Sequence, residues 1–406
     1  MSTGAGFALD AGETIGAGLA PEDALVALSV RARSRGLPGP AAVIGDWFGH
    51  TAIIAPSIEI IGGTSLLDRG GVFSFGWWSF PDRVAQSQLP PVGAGATEGV
   101  LACRDGVWVY HHVGGAPCPE WVRQSVLGDR PRTGTESWSA TWHAPERAPH
   151  LEAIIACKEA IAAGEIYQAC VCTRFDGRLD GSAVGFFADG VHSHRPRKAA
   201  FLHGDWGSIA SFSPETYLRT RGRRVTSSPI KGTLPRTADP ALLRSSAKDV
   251  AENIMIVDLV RNDLGRVAVT GSVAVTELLA VHPAPGVWHL VSTVSARLRD
   301  DVSCADLLEA SFPPASVTGT PKLRARELLR QWETNPRGVY CGAIGMRTPG
   351  GDIDLNVAIR TVAVTPDGRA TLGVGGGITI GSDPELEWQE CLDKAAATID
   401  LTPLGA

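Results

Sequence analysis

A lysine at position 231 stands between an apolar residue and a glycine in a loop bounded by prolines, Ser228-Pro-Ile-Lys-Gly-Thr-Leu-Pro-Arg236. Glycine lets backbone or substrate approach closely, and the prolines hold the path of the chain. A lysine fixed in such a loop becomes a nucleophile when its surroundings favour the neutral amine. Two acidic pairs have the spacing of one helix face: Asp249 with Glu252, and Glu387 with Glu390, the latter joined by Lys394 four residues on. If both faces point into one cavity, the carboxylates repel one another unless a cation lies between them. Mg2+ suits such a place, because it takes hard oxygen donors and keeps room for water and substrate. Glu215 follows Ser213-Pro214, and a carboxyl held near other carboxylates stays partly protonated, as a general acid must. His289, between Trp288 and Leu290, offers a hydrogen bond to a reacting oxygen.

These side chains need elements to carry them. Apolar spacing predicts helices from Ala24 to about Ser34, Leu151 to Ala163, Leu242 to Leu264 and Pro384 to Ile399. Gly164 is placed to end the second, and Pro384 suits the first turn of the last. The third and fourth would carry the two acidic pairs. Strand-like runs are Thr51 to Ala55, Val100 to Tyr110, Ile166 to Phe175, Gly338 to Met346, Leu355 to Val364 and Ala370 to Val374. The polar stretch from about Gly128 to Pro149 reads as a linker or long surface connection. Strands grouped between long helices predict an α+β architecture with antiparallel sheets.

At 406 residues the chain has length for a large core, as one big domain or two. Its 44% hydrophobic and 20% charged content are ordinary for a soluble globular protein. A net charge of -6 without a basic stripe argues against nucleic acid as a partner. No apolar run is long enough to span a membrane, and no signal peptide is expected. The eight cysteines lack zinc spacing and read as reduced thiols of a cytoplasmic protein.

Ten segments, in one order across about 150–400, give the chain a family likeness. They are Gly164-Glu-Ile-Tyr-Gln168, Ser213-Pro-Glu215, Pro229-Ile-Lys-Gly-Thr233, Ala251-Glu-Asn-Ile-Met-Ile-Val-Asp-Leu-Val-Arg-Asn-Asp263 and His289-Leu-Val-Ser-Thr293. Ser316-Val-Thr-Gly-Thr-Pro-Lys322, Tyr340-Cys-Gly-Ala-Ile-Gly345, Ile359-Arg-Thr361, Gly375-Gly-Gly-Ile378 and Glu387-Trp-Gln-Glu390 follow. The set resembles the chorismate-utilising enzymes, which include anthranilate, aminodeoxychorismate, isochorismate and salicylate synthases.

The resemblance implies two large antiparallel β-sheets packed together with helices outside. It implies a weakly matching N-terminal region over 1–135 and a chorismate-binding catalytic domain over 150–404. Glu252 and Glu390 match the family's Mg2+ ligands, with Glu387 and Asp249 assisting. Glu215 matches its general acid and His289 its active-site histidine. Gly232, Thr318, Tyr340, Arg360, Gly375, Gly376, Gly377 and Lys394 match the groups that receive the substrate's carboxylates. Gln168 stands where relatives that add water carry a lysine base. An amide has no titratable site near neutrality, so ammonia is the expected nucleophile. Lys231 in the Pro-Ile-x-Gly-Thr motif resembles the aminodeoxychorismate synthase branch, a transferase of 4-aminobenzoate and folate biosynthesis. The alternatives are an anthranilate synthase component I and an amino-deoxyisochorismate synthase. The chain has no Gly-x-Cys-x-Gly nucleophile elbow, so a separate glutamine amidotransferase subunit is expected to supply ammonia. Two departures from the pattern stand out: Pro314-Ala315 replaces glycines, and Gly45-Asp-Trp-Phe-Gly49 occupies the place of the tryptophan-binding Leu-Leu-Glu-Ser motif. Tryptophan regulation is therefore not expected.

Overall fold

The computed structural model of the chain describes residues 12–81, 89–129 and 136–404. Two antiparallel sheets, of twelve and ten strands among the described residues, pack face to face. The first runs from Glu13–Ala17 through the hairpins of Val107–His112, Gly99–Arg104, His50–Ala55 and Ala41–Trp47. It continues through Lys198–Gly204, Gly207–Ser213, Thr361–Val364, Arg369–Ile378 and Gln168–Gly181 to Gly319–Thr320. The second begins at Ile230–Pro235 and passes through Val287–Arg297, Arg224–Ser228, Thr216–Arg221, Ile353–Val357, Ala343–Arg347 and Phe73–Trp78. It ends at Val92–Thr97 and Ile61–Gly62. The expected two-sheet α+β fold is present. Residues from both the N-terminal and the C-terminal stretch of the sequence contribute strands to each sheet.

Alternation explains the sandwich. In Phe73–Trp78 the rings of Phe73, Phe75 and Trp77 meet Trp47, Ile53, Ile209 and Ile344 in one buried cluster, as inward-facing residues at every second position must. Helices cover the outer faces. Pro21–Arg33 and Ala183–His194 close one side over Phe187, Phe201 and Phe212. Ala247–Gly265 and Cys304–Ser311 close the other over Val225, Val294 and Leu355.

Several elements differ from the sequence reading, each for a local reason. The run Val100 to Tyr110 is a hairpin, turned at Asp105 and Gly106 with φ of 52° and 77°, the mirror-image turn that matches strand twist. The stretch taken as a linker contains the strand Trp138–His143, paired with Gln168–Gly181. The helix expected over 242–264 is two, Ala241–Ser245 and Ala247–Gly265, because the Ser246 side chain accepts from Asp249 N and caps the second. The run Leu355 to Val364 divides at Arg360, whose φ is 51°. Its halves, Ile353–Val357 and Thr361–Val364, lie in different sheets. Gly338 to Met346 is strand only from Ala343 onward.

Candidate active site

The chain crosses between sheets twice at one place. Ser213-Pro214-Glu215-Thr216 passes from the first sheet to the second, and Val357 to Thr361 passes back. The crossings are stitched together: Val357 N donates to Glu215 O at 3.1 Å, Phe212 N to Arg360 O at 2.9 Å, and Ser213 Oγ to Val357 O at 2.6 Å. Glu215 and Arg360 are thereby fixed side by side by backbone.

Lys231 approaches from the edge strand Ile230–Pro235. Its register with Val287–Arg297 slips between Ile230 and Thr233, so Lys231 and Gly232 form a bulge of the kind that re-aims a side chain. Gly232 has φ +86°, and a Cβ there would stand 3.1 Å from the Asp249 side chain. Lys231 Nζ lies 4.0 Å from Glu252 Oε2, with its side chain 13% exposed. The opposite wall is Arg369–Ile378. A Cβ on Gly377 would be 2.9 Å from Glu252 Oε2 and 3.3 Å from Lys231 Nζ, and one on Gly376 would be 3.1 Å from Glu387 Oε2. These glycines make room for the charged side chains. Among the described residues, past Leu372 their strand is paired only with Gln168–Gly181, which leaves its other edge without a strand partner there.

The two acidic helix faces do converge. Glu252 and Glu387 are buried, and burial raises the Glu252 pKa, opposed by Lys231 and Lys248 but reinforced by Glu387 and Asp249. Glu387 Oε1 accepts from Lys248 Nζ. Lys248, which the sequence reading missed, lies one turn before Glu252 and could have been found from that spacing. Glu390 is half-exposed and bound to Lys394 at 2.7 Å; Lys394 also donates to Gly375 O at 2.9 Å. Despite the burial that opposes it, Lys394 holds the Glu390 pKa below the usual range. Among the described residues, Glu252 Oε1 and Glu387 Oε2 are buried acceptors with no hydrogen-bond partner. Among the described residues, no group of three or more His, Cys, Asp or Glu side chains is gathered for a metal. The acidic faces therefore supply one free oxygen each from Glu252 and Glu387, with Glu387 also bound to Lys248 and Glu390 to Lys394, rather than a closed cage.

Burial pushes the Glu215 carboxyl up to about 7, opposed by the Ser316 hydroxyl beside it and by the charges of Lys231 and Arg360, and the residue is 4% exposed. Among the described residues the Arg360 guanidinium has no hydrogen-bond or ion-pair partner, and burial lowers its pKa despite Glu215. His289 Nδ1 is 2.9 Å from Thr233 Oγ1; burial, aided by Arg360 and Arg197, lowers it to about 4, so the ring is neutral at pH 7. Gln168 is buried with Oε1 unpartnered.

Two expected residues are less directly placed. Thr318 Oγ1 lies within hydrogen-bond distance of Pro314 O (3.1 Å) and Ala315 O (3.2 Å), so its proton is used within its own turn. The Tyr340 ring lies over Gly373, where a Cβ would be 2.2 Å from its Cγ. A brace unseen in the sequence stands behind this wall. Arg337 donates to Cys170 O at 2.7 Å and Val317 O at 2.6 Å, and Glu333, which binds Arg337, accepts from Cys172 N at 2.9 Å.

An acidic, glycine-walled cleft between two sheets, with a lysine, a buried acid and a free guanidinium, defines a class that comparison with known proteins also identifies. The chain belongs to the chorismate-binding enzymes, whose family model matches residues 123–400. Within that family it is 44% identical over 238 residues to aminodeoxychorismate synthase component 1 of Salmonella typhimurium, covering 57% of this chain and 52% of that one. It is 40% identical over 269 residues to the Escherichia coli protein of the same name, covering 64% and 58%. The chain thus matches between half and three-fifths of these relatives' length. The menaquinone-specific isochorismate synthase of Escherichia coli shares the fold with a TM-score of 0.72 at 18% identity, over 94% of this chain and 91% of that one. No helix among the described residues is long and apolar enough to cross a membrane.

Proposed function

We propose that this chain aminates chorismate at C4, as an aminodeoxychorismate synthase component I. The observation that supports the reading most directly is the placement of Lys231: bulged from an edge strand, beside Gly377, and 4.0 Å from Glu252. In this reading the Lys231 amine attacks C2 of the ring as the C4 hydroxyl departs as water with a proton from Glu215. Burial keeps that proton on Glu215 up to about pH 7. Ammonia then adds at C4, Lys231 leaves, and a proton from the added nitrogen returns to Glu215. Neutral His289 donates or accepts a hydrogen bond without adding charge. Arg360 and the free strand edge at Gly375, Gly376 and Gly377 receive a substrate carboxylate. The unpartnered oxygens of Glu252 and Glu387 fit Mg2+, with Glu390 and Asp249 on the same acidic rim. Bound there, the ion would neutralise the second carboxylate and draw electron density from the ring. Gln168, an amide, offers no base for water and suits ammonia. A separate glutamine amidotransferase subunit supplies that ammonia.

The test is to incubate the purified chain with chorismate, Mg2+ and excess ammonium at mildly alkaline pH and identify the product. Aminodeoxychorismate, converted to 4-aminobenzoate by an added lyase, is expected, and Lys231→Ala should reduce it severely. Fluorescent anthranilate with pyruvate would instead identify an anthranilate synthase, and undiminished Lys231→Ala turnover would remove the covalent role.

A further inference from the structure

Two residues of the family-like segments, Asp263 and Lys322, have no part in the chemistry above, yet they reach it through a cavity. Glu215, Tyr217, Asp263, Ser311 and Ser316 are among the residues lining it, and it gives the centre of a water-sized sphere about 10 Å³, the space of one water. Ser316 is 6% exposed, and its Oγ lies beside Glu215, whose charged form it favours, without full hydrogen-bond geometry to any group among the described residues. Asp263 Oδ2 accepts from Lys322 Nζ at 2.6 Å, and Lys322 also donates to Ser311 O at 2.7 Å and Pro313 O at 3.0 Å. Ser311 Oγ gives its proton to Leu307 O, so the 2.8 Å contact with Tyr217 has the tyrosine as donor. The hydroxyl protons of Tyr217 and Ser311 are therefore already used, while that of Ser316 is in no full hydrogen bond.

We propose that the cavity holds one ordered water that donates to Glu215 and to Asp263 and accepts from Ser316, making Asp263 a positioning residue for the proton on Glu215. Three hydrogen bonds are the usual complement of a buried water, and this arrangement supplies a partner for the Ser316 hydroxyl. By taking one of the water's protons, Asp263 turns the other toward Glu215, and Lys322 holds Asp263 in place. The charged groups facing Glu215 are Lys231 from the edge strand and Arg360 from the sheet crossing. Asp263 adds its charge from the helix Ala247–Gly265, with Lys322 behind it from the helix Lys322–Trp332. A carboxylate across one water favours the protonated form of its neighbour. The inference rests on Glu215 being the general acid.

A crystal structure that resolves ordered water should show one peak within hydrogen-bond distance of Glu215, Asp263 and Ser316. In chorismate amination with ammonium, Asp263→Asn should move the limb on which kcat falls with rising pH to lower pH, by about half a unit to one unit. Ser316→Ala should slow turnover about threefold to tenfold at unchanged KM. A dry cavity, or an unmoved limb in Asp263→Asn, overturns the inference. If Asp263→Asn does not fold, Ser316→Ala keeps the Asp263–Lys322 pair and decides alone, unchanged turnover being the overturning result. Undiminished turnover in Glu215→Gln would remove the general acid itself. Turnover lost there beside a dry cavity would remove only the water.

Discussion

Glu215, the acid of the proposed reaction, carries a stability cost in its own carboxyl. Its folded pKa of about 7 lies above the ordinary 4.5 because the group is buried, so the folded state binds its proton more tightly than the unfolded chain does. The stability this provides is complete below about pH 4.5 and is lost as pH rises through 7, a difference of about 3 kcal/mol. Glu215→Gln should therefore lose turnover yet unfold at a higher urea concentration than the parent at pH 8, with the gap closing by pH 4. Equal midpoints throughout would show that the carboxyl carries no buried penalty. Gly377→Ala places a methyl 2.9 Å from Glu252 Oε2 and 3.3 Å from Lys231 Nζ. Displacing both should lower kcat/KM about a hundredfold or more, while far-ultraviolet circular dichroism remains that of the parent. The sequence revealed Lys231, Glu215, Glu252 and Glu387 because their neighbours formed motifs. It hid Lys248 and the cavity beside Asp263, because a counter-ion and a void are defined by what packs nearby.

At the level of elements, local signals were strong where they stood alone. Ser246 heads a helix start, and Asp105-Gly106 a turn, and both were present to be read. Arg360 carried no such signal: neither glycine nor proline marks the place where one run leaves the second sheet for the first, and tertiary pairing imposes the φ of 51°. The brace of Glu333 and Arg337 is likewise invisible as pattern. It serves the strand Gln168–Gly181 where, beyond Gly319–Thr320 and before Trp138–His143, that edge has no strand partner among the described residues. Arg337→Met removes the ion-pair partner of the buried Glu333 side chain and the guanidinium donors to Cys170 O and Val317 O. A loss of about 3–5 kcal/mol in chemical denaturation is expected. Less than about 1 kcal/mol would mean that the brace is not needed to hold the strand.

For the whole molecule, the composition correctly pointed to a large core, but no period or spacing showed how the two ends of the chain combine. Ala41–Trp47 pairs with Lys198–Gly204, and Phe73–Trp78 pairs with Ala343–Arg347. Buried Lys198 and Arg219 bind Asp354, while Asp46 and Phe48 N join the same network from the N-terminal half. A chain begun at residue 150 would open both sheets in mid-span and unpair this network. It should lack a single cooperative unfolding transition by calorimetry; a sharp two-state melt would show that the C-terminal stretch folds alone.

Among the described residues, the bulged strand that bears Lys231 ends its sheet and pairs with its one neighbour through a register slip, whereas the glycine wall facing it keeps an unbroken register with Ala169 to Arg178 of the adjoining strand. The cleft thus has a hinge-like wall and a fixed one. In deuterium exchange, the amides of 231–234 should be labelled through local peeling long before those of 370–377, which wait for a larger opening. Chorismate should slow the first set far more than the second. In the reaction proposed above, lifting that one strand would admit the ligand and carry Lys231 with it.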